Sequence, residues 1–66
     1  MERFLELTEK NENYSFLIAI SRIISVCMFK NSTYIEFEAY DDKNKSCSIV
    51  VSVEESYEEI KNKLGV

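Results

Sequence analysis

Two tyrosines and two glutamates alternate along one short segment of this chain. Tyr34, Glu36, Glu38 and Tyr40 occupy every second position of TYIEFEAY, so a strand would place all four on one face. Tyrosine rings attract cations through their π faces, and carboxylates pair with arginine or lysine. The pattern predicts a surface for a basic or arginine-rich partner, with nucleic-acid mimicry as a variant. The alternative is an ordinary solvated strand face.

A second acidic group precedes and opens the C-terminal helix. Glu54, Glu55, Glu58 and Glu59 could bind a cation or a basic partner, and we take Glu54 and Glu58 as candidates for the partner surface. The simpler interpretation, which we favour, is helix capping. Ser56 and Glu59 have the spacing of a capping box, and each acid in a first turn stabilises a helix by about 0.3–1 kcal/mol.

No residues form a catalytic or cofactor pattern. The sequence has no histidine, so Cys27 lacks the base that a nucleophile needs, and Cys27 and Cys47 alone cannot complete a tetrahedral metal site. Gly65 is the only glycine, which excludes a glycine-rich phosphate loop. Ser21 and Arg22 alone are weak grounds for an anion site. We expect no enzyme, no cofactor, no metal, and two reduced, buried cysteines.

Charge and hydropathy limit the partners further. The net charge is −4, from twelve acidic and eight basic residues. An acidic chain is a poor ligand for phosphate backbones and for anionic membrane surfaces. No apolar run approaches the roughly 20 residues of a membrane helix, and no leader-like run follows the first residues. These observations predict a cytoplasmic protein that binds neither nucleic acid directly nor membranes.

The secondary-structure elements that must position these residues can be predicted from hydrophobic periodicity and from turn-forming residues. We predict strands at 3–8, 14–19, 23–29, 33–40 and 47–53, a bend at 20–22 and a hairpin turn at 30–32. A helix begins after Ser56 and ends at Leu64, before Gly65. The chain is therefore predicted to be one α+β domain over residues 1–66. It would hold an antiparallel sheet of four or five strands and one C-terminal helix.

The segments YSFLIAI and IISVCMF are apolar on both faces, whereas one short helix can cover only one face of a sheet. We expect Leu17, Ile24, Val26 and Met28 to line the second face and to form an interface between copies of this chain. A homodimer or higher oligomer is then expected. The alternative is that the sheet curls into a small barrel that buries these residues internally.

Strand hydrophobics and a capped helix recur in a fixed order along the chain. They run from FLELT through IISV and TYIEF to IVV and ESYEEI. This order resembles the FlbD/SwrD-type small flagellar proteins and similar short uncharacterised proteins of phages and mobile elements. The resemblance implies a non-enzymatic accessory role and supplies no catalytic residues.

Together, these features predict a small, acidic, oligomeric, non-enzymatic interaction protein. One concrete version is an inhibitor, encoded by a phage or mobile element, that binds a basic host protein. Two alternatives stay open: a flagellar or motility accessory protein of FlbD type, and a small-ligand-binding oligomer with sites at subunit interfaces.

Overall fold

The computed structural model describes residues 2–66, which form a small α+β fold. The elements are β1 (Phe4–Thr8), β2 (Ser15–Ala19), a 3₁₀ turn (Ile20–Arg22), β3 (Ile23–Phe29), β4 (Ser32–Tyr40), β5 (Ser46–Val53) and α1 (Tyr57–Leu64). The fold class, the bend and the helix bounds are confirmed. Predicted strand ends differ from the observed ends by no more than one residue.

The five strands form two antiparallel sheets. β1 pairs with β2, and β3, β4 and β5 pair in that order. The 3₁₀ turn carries the chain from the first sheet to the second, so β2 and β3 do not pair. A bridge between Glu9 and Val53 joins the sheets at one end, where the Lys10 N–H donates to the Ser52 carbonyl at 2.9 Å.

The hydrophobic core lies between the β1–β2 hairpin, one side of the three-stranded sheet and α1. Its buried members are Leu5, Leu7, Ile18, Ile35, Val53 and Ile60. They come from β1, β2, β4, β5 and α1, so most of the described elements contribute to one cluster. The core therefore covers one side of the three-stranded sheet.

Local signals fix both ends of α1. The Ser56 hydroxyl accepts the Glu59 N–H at 3.1 Å, which satisfies one of the free N–H groups of the first turn. Gly65 adopts a left-handed conformation with φ of 82°, and its N–H donates to the Lys61 and Asn62 carbonyls. The predicted cap and terminating glycine are confirmed.

Three asparagines adopt the positive-φ backbone conformation that glycine usually adopts in turns. Asn13, Asn31 and Asn44 have positive φ, and each lies in a turn between strands. Lys30 also has positive φ, so Lys30 and Asn31 together make the two-residue turn whose twist matches a β-hairpin. The predicted turn, with Asn31 in the left-handed region, is confirmed.

A β-bulge near the start of β3 changes which side chains face the core. The pairing between β3 and β4 shifts between Ile23 and Ser25. Although Ile23 and Val26 are three positions apart, both pair with core-side residues of β4, which are Phe37 and Ile35. Val26 is therefore half-buried against the core. One extra residue inverts the in/out alternation of everything that follows it in a strand.

This bulge corrects the predicted oligomer interface. Val26 lies on the core side, and so does Met28, which pairs with the buried Thr33 but is 61% exposed near the strand end. Ile24 is 56% exposed at the bulge, and Leu17 is 67% exposed on the β1–β2 hairpin. Three of the four residues are exposed within one chain, but the four do not form one surface.

The two cysteines are free, as expected, but both are exposed, so the predicted burial is wrong. Cys27 pairs with Tyr34, on the side of the sheet away from the core. Cys47 pairs with Ala39 on the core side, beyond the reach of the buried cluster. They lie on different strands, on opposite faces and on either side of β4, so they cannot bond within one chain.

Within residues 2–66, α1 has eight residues, and no helix is long and apolar enough to cross a membrane.

Replacement of Ile60 tests the single-core description. Ile60 is completely buried between both sheets, so Ile60→Ala should lower the free energy of unfolding by about 2–5 kcal/mol. Asn62→Ala on the same helix is the control, and because Asn62 is exposed it should change stability by less than about 0.5 kcal/mol. Urea unfolding followed by circular dichroism measures both. Equal midpoints for the two variants would contradict this core.

Candidate partner-binding face

The side of the three-stranded sheet turned away from the core is the outer face. Directly opposed residues of antiparallel strands project to the same side, so the register assigns its members. They are Ser25, Cys27 and Phe29 of β3; Ser32, Tyr34, Glu36, Glu38 and Tyr40 of β4; and Ser46, Ser48, Val50 and Ser52 of β5. Several of these residues on all three strands are exposed, which shows that no other element of residues 2–66 covers this face.

The structure places the four alternating residues of β4 together on the outer face. Glu36 and Glu38 lie between Tyr34 and Tyr40 on the central strand of the sheet. Successive residues on one side of a strand are about 6.5–7 Å apart, so the two carboxylates are near neighbours. β3 and β5 flank them on both sides, which gives the site a rigid backbone.

Neither carboxylate is neutralised by a basic side chain. The Ser25 hydroxyl donates to Oε1 of Glu36 at 3.2 Å, and the Tyr40 hydroxyl donates to Oε1 of Glu38 at 3.2 Å. The ion pairs of the described residues lie elsewhere, on α1. Each carboxylate thus keeps an oxygen free to accept further hydrogen bonds.

A cation already lies over one of the two tyrosine rings. The Arg22 guanidinium carbon is 5.2 Å from the centre of the Tyr40 ring, within the range of a cation–π interaction. No corresponding cation lies over Tyr34 in the part of the chain that the structure describes. Arg22 comes from the 3₁₀ turn, and no local pattern predicts that this turn approaches the end of β4.

Exposed apolar groups border the acidic residues. Val50 pairs with Glu36 across the β4–β5 ladder and is 60% exposed, and Cys27 pairs with Tyr34 across the β3–β4 ladder. Phe29 is exposed near the end of the same face. The outer face therefore combines carboxylates with apolar and aromatic surface, as protein-binding surfaces commonly do.

The remaining two candidate residues lie apart from this face. Glu54 is exposed on the connection between β5 and α1, and Glu58 is in the first turn of α1, which packs on the core side. The Glu58 carboxylate is 3.8 Å from the ammonium of Lys61. Glu54 and Glu58 have no position in the register of the outer face, so the six candidates do not share one surface.

Glu55 has a structural role that the sequence did not reveal. Its carboxylate accepts the Thr8 N–H at 2.9 Å and the Thr8 hydroxyl at 3.1 Å. Thr8 ends β1, whereas Glu55 immediately precedes the cap of α1, so this carboxylate joins the first sheet to the start of the helix. The residues are 47 positions apart, beyond any local sequence signal.

A cleft of about 250 Å³ lies where the β3–β4 turn approaches the start of α1. Lys10, Met28, Glu55 and Tyr57 are among its lining residues. Two of its three charged lining residues are engaged within the chain: Lys10 Nζ donates to the Ser32 hydroxyl at 3.1 Å and Glu55 binds Thr8, whereas Glu54 is exposed. Among residues 2–66, no cluster of three or more cysteine or acidic side chains could hold a metal ion.

Comparison with known proteins gives no relative for this chain. No protein-family model matches it, and no curated protein or solved structure matches it. The resemblance to FlbD/SwrD-type proteins stays a prediction from the sequence.

Adjacent glutamates provide a test of the assignment of Glu55. Glu55→Ala leaves the Thr8 N–H and hydroxyl without their charged acceptor, so it should lower the free energy of unfolding by about 1–3 kcal/mol. Glu54→Ala removes the same charge from an exposed side chain and should cost less than about 0.5 kcal/mol. Thermal unfolding of the two variants compares them directly, and equal losses would refute a structural role specific to Glu55.

Proposed function

We propose that this protein is a non-enzymatic, oligomeric interaction protein whose outer face binds a basic protein partner. The observation that carries the proposal is the pair Glu36 and Glu38, adjacent on one face and without a basic partner among the described residues. Like charges at this spacing repel each other. A partner that brings arginine or lysine to the face removes this repulsion and forms charge-assisted hydrogen bonds with the free oxygens.

The contact between Arg22 and Tyr40 supports arginine as the partner residue. The guanidinium lies over the Tyr40 ring, and the Tyr40 hydroxyl donates to the carboxylate of Glu38. Tyr34 is likewise two residues from Glu36 on the same face, on its N-terminal side, and no cation lies over its ring among the described residues. An arginine of the partner can therefore stack on Tyr34 and reach Glu36, just as Arg22 lies over the other tyrosine.

Cys27, Phe29 and Val50 supply the apolar part of the proposed interface. All three are exposed on the same face as the glutamates, so a partner would exclude water from them. Carboxylates guide the approach of a cationic partner, whereas burial of apolar area supplies most of the affinity. The mixed face therefore suits a folded basic protein better than a free arginine-rich strand.

In biological terms, we propose a cytoplasmic protein of a phage or mobile element that inhibits a basic host protein. The negative net charge and the acidic outer face support this version. The flagellar alternative has only the sequence resemblance in its favour. For the small-ligand alternative, the cleft beside α1 is a candidate site, but Lys10 and Glu55 in its lining already bind within the chain.

Charge reversal on the outer face tests the proposed function. The probe is a fluorescent decapeptide of alternating arginine and serine, which bears the arginine spacing of a strand. Glu36→Lys/Glu38→Lys should weaken its binding at least about tenfold, since two attractive charge pairs become repulsive. Fluorescence anisotropy at low and high ionic strength measures the affinity, and the wild-type affinity should fall as salt rises.

The matched control is Glu6→Lys/Glu12→Lys. Both residues are exposed on the β1–β2 hairpin and its loop, away from the outer face, so the net charge changes by the same amount. This variant should keep most of the affinity. Equal losses in the two double variants would mean that the peptide senses only net charge, and the outer face would then not be the binding site.

A further inference from the structure

We infer that a second copy of this chain pairs with the free edge of β5, antiparallel and centred on Ser48, to form a continuous six-stranded sheet. This inference rests on the proposed self-association and specifies where and in which register it occurs. β5 is an outer strand of its sheet, with β4 on one side. β1 meets the other side only through the Glu9–Val53 bridge near the end of β5.

The hydrogen bonds identify which backbone groups of β5 point away from β4. The Ser52 carbonyl accepts the Lys10 N–H, so residue 52 faces the free edge, and residues two and four positions earlier face the same way. Lys45, of opposite parity, accepts the Asp41 N–H and faces β4. The N–H and C=O groups of Ser46, Ser48 and Val50 therefore point outward, and they have no partner among residues 2–66.

This edge has none of the features that block strand pairing. Residues 46–53 include no charged residue and no proline, and their register with β4 is continuous. Natural edges are usually protected by a charge, a proline or a bulge. β3, the opposite edge, carries the bulge between Ile23 and Ser25, so β5 is the better template for a second strand.

The positions of the free groups determine the register between two copies. If Ser48 lies opposite Ser48 of the second copy, then Ser46 of each copy lies opposite Val50 of the other. All six outward-facing residues then exchange their N–H and C=O groups across the twofold axis. A register centred on Ile49 would pair Ser46 with Ser52, whose carbonyl already accepts the Lys10 N–H.

Side chains agree with this register. Cys47 and Ile49 lie on the core side of β5, exposed beyond the buried cluster, and the register places Cys47 of each copy against Ile49 of the other. Asp41, Asp42, Lys43 and Lys45 give the loop before β5 no net charge, so net charge neither favours nor opposes the approach of Glu54 of the second copy to that loop.

Disulfide trapping tests the register. Ser48→Cys is made in a Cys27→Ser/Cys47→Ala background, so that the introduced thiol is the only one. Opposed residues of a hydrogen-bonded pair have Cα atoms about 5.5 Å apart, which a disulfide can span. With oxidised glutathione as the electron acceptor, Ser48→Cys should form a covalent dimer on non-reducing gels.

Val50→Cys in the same background is the matched control. In this register the two Val50 residues are displaced by four positions along the strands, about 13 Å, which is too far for a disulfide. Val50→Cys alone should not cross-link, whereas a mixture with Ser46→Cys should give the mixed dimer. Equal cross-linking of Ser48→Cys and Val50→Cys would indicate random collision and overturn the register.

Charge insertion separates this inference from the proposed function. Ser48→Glu opposes two carboxylates at the twofold axis, beside Glu38 of each copy, and should weaken dimerisation about fivefold or more. Ser25→Glu adds the same charge beside Glu36 on the other edge strand and should leave dimerisation unchanged. A dimer that survives Ser48→Glu and does not cross-link through Ser48→Cys would refute the β5 edge but retain self-association. A wild-type protein that stays monomeric would refute both.

Discussion

One constraint shapes this molecule: the apolar β surface is larger than a single eight-residue helix and a two-stranded hairpin can cover. α1 and the β1–β2 hairpin enclose one side of the three-stranded sheet around Leu7, Ile35 and Ile60, all fully buried. Cys47 and Ile49 on the core side of β5 stay exposed beyond that cluster, and the outward-pointing backbone groups of the β5 edge have no partner among the residues described. Because a chain of 66 residues has little buried area with which to stabilise itself, uncovered apolar surface is a substantial loss. Association is one general remedy for a domain of this size.

The bulge near Ile24 determines which residues of β3 face the core and which stay on the outer face. It turns Val26 toward the core and leaves Cys27 and Phe29 on the outer face, beside the glutamates of β4. The acidic and apolar groups thus meet on one surface. The two proposed interactions therefore use separate places, the outer face for a basic partner and the β5 edge for a second copy. A dimer of the proposed kind would present two outer faces in one continuous sheet.

Much of the fold could be predicted because its signals are local. Ser56 and Gly65 define the helix ends, Asn31 marks a hairpin turn, and alternation in TYIEFEAY puts its tyrosines and glutamates on one side. Long-range features could not be predicted. The division into two sheets depends on the 3₁₀ turn, and the contact of Glu55 with Thr8 joins residues 47 positions apart. The bulge at Ile24 lies in a nearly continuous apolar run that contains no glycine or proline to mark it. The bulge caused the error at Val26, whereas Cys27 is exposed because it lies on the outer face and Cys47 because the core does not reach it.

Static light scattering across a dilution series tests most directly the central claim, that one chain leaves an edge and an apolar strip of its sheet for a second copy to cover. We expect a mass of twice the chain at high concentration, which falls toward one chain mass as the protein is diluted. A mass of one chain at every concentration, from micromolar to millimolar, would contradict this claim, because the β5 edge with Cys47 and Ile49 would then be stable in water without a second copy.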